Sequence, residues 1–231
     1  MALVLVAIIT GFILASHRAR ANGIGWEQMA ELCIWVIAGG FLGGHIAKSI
    51  YDPDALREAI EHPVRLINIF GGQASFGSFF GGALAAMGYF VFRRVPFPQW
   101  RRYSDAGAYC VPFSWWIGRT GCYLVHDHPG IRTTSWLGVR YPDSTRYDLG
   151  LLEALFLLGL AAVFAVLGRK PRRLGFFTAT FLLTYGVFRI YLDTFHIDPP
   201  RYAGVTVDQY AGALMALCGV AVTVYSFVLN L

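Results

Sequence analysis

"IGRTGCYLVHDHPG", residues 117–130, closes a long apolar run and yet carries Arg119, His126, Asp127 and His128. The run behind it, 106–125, is about 20 residues long, the length a helix needs to cross the hydrocarbon core of a bilayer. The quoted stretch therefore reads as the end of a membrane-spanning helix running out into a polar loop. Six further apolar runs share this character: 2–16, 29–50, 71–93, 150–168, 174–194 and 209–230. The first is the shortest, at about 15 residues against the usual 20. The chain is 56% hydrophobic and only 14% charged, against about 25% charged residues in soluble domains. Continuous runs, rather than ten-residue alternations, point to helices and away from an outer-membrane barrel. The expectation is an all-α, polytopic membrane protein with seven transmembrane helices and one domain, 1–231.

Basic residues orient it. The loop at 17–28 holds His17, Arg18 and Arg20, that at 94–105 holds Arg94, Arg101 and Arg102, and that at 169–173 reads "RKPRR". They alternate with the loops at 51–70, 126–149 and 195–208, where acids and bases mix. The positive-inside rule puts the basic set in the cytoplasm, the N-terminus outside and the C-terminus inside. The net charge of +5 is then a topology signal, and no nucleic-acid partner is expected. No basic region precedes the first run and no small-residue cleavage pattern follows it, so a retained span is expected rather than a removable signal. Cys33, Cys110, Cys122 and Cys218 all fall in apolar runs, which predicts no disulfide framework.

Two glycine clusters stand out, "AGGFLGG" at 38–44 and "GGQASFGSFFGG" at 71–82. Gly39/Gly43, Gly40/Gly44 and Gly77/Gly81 are small-xxx-small pairs that bring helices close, or else leave room for a lipid chain. In the outer segment "YDPDALREAIEHPVRL", Asp52 and Pro53 signal the start of a surface helix. Its Leu56, Ile60 and Leu66 would lie on the membrane.

Charges inside a membrane cost roughly 2.5–3.5 kcal/mol each on the insertion scale and so tend to mark function. Arg119 and Arg189 lie at similar depth, near the outer ends of their spans. A lone arginine there can snorkel, but each has companions at helical spacing. Tyr185, Arg189, Asp193 and His196 share one face, as do Trp115, Arg119, Tyr123 and His126 if that helix persists. Paired guanidiniums suit the oxygens of a phosphate, and a low dielectric strengthens the attraction. An anionic phospholipid at the outer leaflet of a bacterial inner membrane is the expected ligand.

Three readings of "HDHPG" remain open. His126, Asp127 and His128, with His196 or Asp198, could ligate a metal, although no helical ligand motif accompanies them. They could form a solvated loop without chemistry. His126 and His128 could instead supply acid–base or substrate-orienting groups, since imidazole titrates near neutral pH. No cofactor is expected. The ionisable groups gather near one side of the membrane, which favours surface chemistry over transport.

These segments together resemble the bacterial prolipoprotein diacylglyceryl transferase family over nearly the whole chain. "GFILASHRARANGIGW" resembles its first span and loop, "AGGFLGGHIAKSIYD" its second span and "IFGGQASFGSFFGG" its glycine-rich third. "PFSWWIGRTGCYLVHDHPG" is similar to its signature Gly-Arg-x-Gly-Asn-Phe-x-Asn-x-Glu-x-x-Gly. "RYDLGLLEAL" resembles the segment that follows, and "GFFTATFLLTYGVFRIYLDTF" the late Tyr-Gly-x-Phe-Arg span. The resemblance implies a membrane transferase that moves the diacylglyceryl group of phosphatidylglycerol to the lipobox cysteine thiol of a prolipoprotein, releasing glycerol phosphate. It implies that Arg119 and Arg189 handle the phosphate, with Tyr185, Gly118, Gly121, Glu153 and Arg146 in the substrate site. The chain departs from the pattern at several places. Gly77 stands where the third span usually has a histidine, and Cys122 and Val125 replace two asparagines. Asp127 replaces the signature glutamate, and an acid appears in span six as Asp193. "RYDLG" stands for Arg-His-Pro-Ser-Gln. With the third-span histidine gone, His126, His128 or His45 is expected to take the thiol proton. Otherwise the acceptor is a different molecule, or the protein binds phospholipid without catalysis.

Overall fold

The computed structural model describes residues 2–51, 57, 61 and 74–228. Its helices are α1 (Ala2–Ala21), α2 (Trp26–Tyr51), α3 (Ser75–Phe92), α4 (Phe97–Val125), α5 (Leu149–Leu167), α6 (Phe176–Asp193) and α7 (Val207–Val228). Each expected apolar run corresponds to one of them. The expectation of a purely helical chain needs correction. Between α4 and α5 the chain forms β1 (Pro129–Arg132), β2 (Val139–Arg140) and β3 (Thr145–Asp148), an antiparallel sheet ordered β1-β3-β2. Between α6 and α7 it forms a hairpin of β4 (Arg201–Tyr202) and β5 (Val205–Thr206). Ala203 and Gly204, with φ of 51° and 82°, supply the two positive-φ residues that a tight hairpin turn requires.

Among the described residues, four helices are long and apolar enough to cross a membrane: α1, α2 over Trp26–Ser49, α5 and α7. The apolar helix Phe76–Phe92 is shorter. Helices α4 and α6 are diluted by polar and aromatic residues, Arg119 and Arg189 among them. Asp52, Pro53, Leu56, Ile60 and Leu66 of the expected surface helix lie outside the described residues, as does the start of the third run. The described Arg57 and Glu61 pair at 3.4 Å, one helical turn apart.

The chain divides into two compact units, Ile24–Trp100 and Met1–Gly23 with Arg101–Leu231. Within the first, α2 and α3 meet through their glycines. A Cβ at Gly43 would stand 2.7 Å from Gly81 Cα, and one at Gly77 would stand 2.5 Å from the Gly43 carbonyl oxygen. Backbone fills that space, so close helix packing is the role of these residues, and a histidine at 77 has no room. Gly77→Ala is expected to force the pair apart and cost about 1–3 kcal/mol, the usual penalty of overpacking. Thermal unfolding in detergent would measure it.

In the second unit the termini of the helices are fixed by identifiable caps. Helix α1 runs 20 residues, longer than the apolar run suggested, because Arg18 finds partners within the unit. Its guanidinium donates to the Gly168 carbonyl at 3.1 Å and lies 4.6 Å from the Tyr109 ring centroid, a cation against the negative end of α5 and an aromatic face. Asp148 caps α5 by accepting the Leu151 N–H at 2.9 Å, a role aspartate favours. Asp105 on α4, buried, accepts the first N–H groups of α6 from Phe177 and Thr178 at 2.8 and 3.0 Å. "TVDQ" forms a capping box at α7: Thr206 Oγ1 accepts from Gln209 N at 3.1 Å, and Gln209 Oε1 accepts from Thr206 N at 3.2 Å. Helix α6 lies against α7 at Gly186 and Gly212, where a Cβ on the former would come 2.6 Å from the carbonyl oxygen of the latter.

Candidate functional site

Arg119 on α4 and Arg189 on α6 are brought together by Glu153 on α5. Arg119 Nε lies 2.9 Å and Arg189 Nη1 3.3 Å from the same Glu153 oxygen, Oε2. The other oxygen accepts the Tyr185 hydroxyl at 2.6 Å. Arg189 Nη2 also reaches Asp208 Oδ2 at 2.6 Å, on the first turn of α7. All three members of the central triad are buried, with Glu153 only 1% exposed. Two cations cannot be buried side by side without compensation, and Glu153 with Asp208 balances them charge for charge. Phe181 stacks on Tyr185 at 5.3 Å, and Trp115 stands 6.3 Å from the same ring. Aromatic rings thus flank the tyrosine that holds Glu153.

The helical face of α6 holds Tyr185, Arg189 and Asp193 as expected, all buried, but His196 lies beyond its end. Asp193 Oδ1 pairs with His196 Nδ1 at 3.2 Å, and its Oδ2 accepts the Thr206 hydroxyl at 2.6 Å. Burial first, and the nearby Arg189 charge second, hold the His196 imidazole below its ordinary value. A histidine lowered in the folded state takes up more protons when unfolded. Its contribution is therefore complete above the ordinary imidazole value of about 6.5 and is lost as pH falls below it. The thermal midpoint should drop over that window, and His196→Gln should flatten the drop.

On α4 the helix stops at Val125, because His126 takes a left-handed conformation with φ of 51°. His126 is therefore off the helical face of Arg119. Its Nδ1 lies 3.1 Å from Asp148 Oδ2, which also accepts the Tyr141 hydroxyl at 2.7 Å. Asp148 is completely buried, so one carboxylate joins the α4 terminus, the sheet and the α5 cap. Burial and then this carboxylate push the Tyr141 phenol above its usual range, which keeps it a proton donor. His128 has a different partner. Its Nδ1 contacts Asp127 Oδ1 in a half-exposed pair.

Arg146 serves the sheet. It pairs with Asp143 and donates to the Gly130 carbonyl at 3.2 Å, and this contact holds the Asp143 carboxyl below the usual range. A Cβ at Gly118 would meet nothing within 4 Å, and one at Gly121 would make ordinary contact with Leu3 at 3.5 Å. The first of these glycines leaves open space beside the arginine. His45 is a buried residue of α2. The four cysteines are free thiols.

Asp208, Asp148, Tyr141 and Thr206 were not singled out from the sequence. Two of them carried a readable signal. "TVDQ" has capping-box spacing, and Asp148 stands immediately before an apolar run in the position of a helix cap. The pairing of Asp208 with Arg189 and of Asp148 with His126 had none.

A family model described as prolipoprotein diacylglyceryl transferase matches residues 2–225. Among curated relatives, the phosphatidylglycerol–prolipoprotein diacylglyceryl transferase of Pseudoalteromonas atlantica is 30% identical over 239 residues, covering 96% of this chain and 82% of the relative. That of Sodalis glossinidius is 29% identical over 258 residues, covering 96% and 87%. That of Solidesulfovibrio magneticus is 28% identical over 208 residues, covering 85% and 76%. With a match this continuous, running through the glycine-packed helices and the helices that carry Arg119, Glu153 and Arg189, the chain belongs to the prolipoprotein diacylglyceryl transferase family.

Proposed function

We propose that this chain is a membrane transferase that moves the diacylglyceryl group of phosphatidylglycerol to the lipobox cysteine of a prolipoprotein. The observation that carries the reading is the buried Arg119–Glu153–Arg189 cluster, set in a chain of this family. The protein works as one membrane domain of seven spans in the bacterial inner membrane, N-terminus outside and C-terminus inside, with the cluster toward the outer leaflet.

In the reaction a thiolate sulfur attacks the glycerol carbon that bears the phosphate. The sulfur–carbon bond forms, the carbon–oxygen bond breaks, and glycerol phosphate leaves with the bonding electrons. The thiolate is the nucleophile, so a base must first take the thiol proton. The charge gathering on the departing phosphate is met by Arg119 and Arg189. Asp208, the more exposed of the two acids on Arg189, gives way to the phosphate, while Glu153 stays to hold the guanidiniums together. Tyr185 keeps Glu153 oriented, and Asp193 braces the end of α6. Gly118 leaves room for the lipid, with Gly121 one turn on. His128, half-exposed and oriented by Asp127, is the base. His126 is committed to Asp148 and positions that loop.

The experiment is direct. Purified protein, phosphatidylglycerol and a lipobox peptide should yield a diacylglyceryl-thioether peptide. Absence of that product would refute the reading. The packing that excludes a histidine at Gly77 favours one alternative, a different acceptor. Phosphatidylglycerol turnover without the peptide would support it.

A further inference from the structure

We propose that Cys122, Asp127 and His128 form a binding site for a divalent transition-metal ion of the zinc class, and that the bound ion silences the base supplied by His128. One ligand atom from each residue lies within 4.8 Å of those of the other two. The fold brings them together for identifiable reasons. Cys122 sits on the last turn of α4, and the left-handed His126 turns the chain back immediately after it. His128 is then tied down through its carbonyl, which accepts the Leu149 N–H at 3.0 Å. Gly150 lets the first turn of α5 press against Cys122, where a Cβ would stand 3.3 Å from the cysteine Cβ.

The donor set suits the ion. Zinc takes thiolate, imidazole and carboxylate together, at about 2.0–2.3 Å, which places the donors roughly 3.5 Å apart around a tetrahedron. The side chains need close only a little, and two of them are on a half-exposed surface. Three protein donors leave a fourth position for water, the open arrangement. A thiolate and a carboxylate supply two negative charges against a dication. Arg119 Nη1 lies 3.9 Å from the sulfur, and its charge is already balanced by Glu153. One Asp127 oxygen already meets His128 Nδ1, so carboxylate and imidazole face the same point, and the ion would take the place of the proton they share. Binding releases the thiol proton to solvent.

A second group of ligand-type residues, Asp193, His196 and Asp208, is unsuitable. Arg189 donates to Asp208 and the Thr206 hydroxyl to Asp193, each at 2.6 Å, so two of its three ligand groups are engaged in short hydrogen bonds, whereas the Arg119–sulfur contact is a loose 3.9 Å.

Metal binding rests on these three residues alone, whereas the loss of turnover rests on the proposed role of His128. The test uses the full chain in detergent with cobalt(II) as probe. A thiolate-to-cobalt charge-transfer band should appear, at one ion per chain, and zinc(II) should displace it. Cys122→Ser should abolish the band and His128→Ala weaken binding at least about tenfold, the usual cost of a lost ligand or its support, with helix content by circular dichroism unchanged. No band, or a band that survives Cys122→Ser, would overturn the site. Zinc should also stop thioether formation in the unmodified chain. A filled site with undiminished turnover would overturn the silencing and the role of His128 as base, but not the site.

Discussion

Arg189→Ala should lower thioether formation by at least about 10²–10³-fold, the loss typical of removing one donor to a developing oxyanion. It should also weaken the fold. Arg189 is one of two cations on Glu153, which is 1% exposed. Removing one partner of a buried pair costs about 3–5 kcal/mol, because the remaining charge is left uncompensated. Arg119→Ala should behave alike. The two effects separate with Arg189→Lys, which keeps a charge beside Glu153 and Asp208 but loses the planar fork that grips phosphate. That variant should unfold near the temperature of the unmodified protein and still turn over poorly. Product formation per folded molecule, beside the thermal midpoint, decides the matter. Full turnover in either alanine variant would remove the arginines from the reaction.

His128→Ala should reduce turnover by about 10²–10⁴-fold, the range attributed to a positioned acid–base group, while leaving phosphatidylglycerol binding intact. Added imidazole should restore part of the rate, which a merely structural residue would not permit. His126→Ala should cut turnover too, but by another route. It detaches one partner of the fully buried Asp148, so the thermal midpoint should fall and imidazole should not rescue. Full activity in His128→Ala would sink the histidine base.

The glycine pairs show how far helical spacing carries. Gly39, Gly43, Gly77 and Gly81 recur at the interval that puts small residues on one face, and α2 and α3 do pack there. The same spacing placed Tyr185, Arg189 and Asp193 on one face of α6, buried as expected. It failed past the helix ends, since the left-handed conformation of His126 and the turn before His196 depend on tertiary partners. The strands between α4 and α5 are short, and their backbone partners lie in other parts of one loop, so no alternation announced them. Helix α1 outran its apolar run because Arg18 is satisfied by Gly168 and Tyr109, both far away in sequence.

The sequence alone determined that the chain is a helical membrane protein, which residues are costly to bury, and which family it resembles. Apolar run length and the intolerance of hydrocarbon for charge are local properties, readable one segment at a time. Only the tertiary structure decided that Glu153 joins Arg119 to Arg189, that Asp208 completes the balance, and that Asp148 claims His126 and leaves His128 to Asp127. Those pairings hold because each buried charge must find an opposite one, and which helix offers it is settled only when the helices pack.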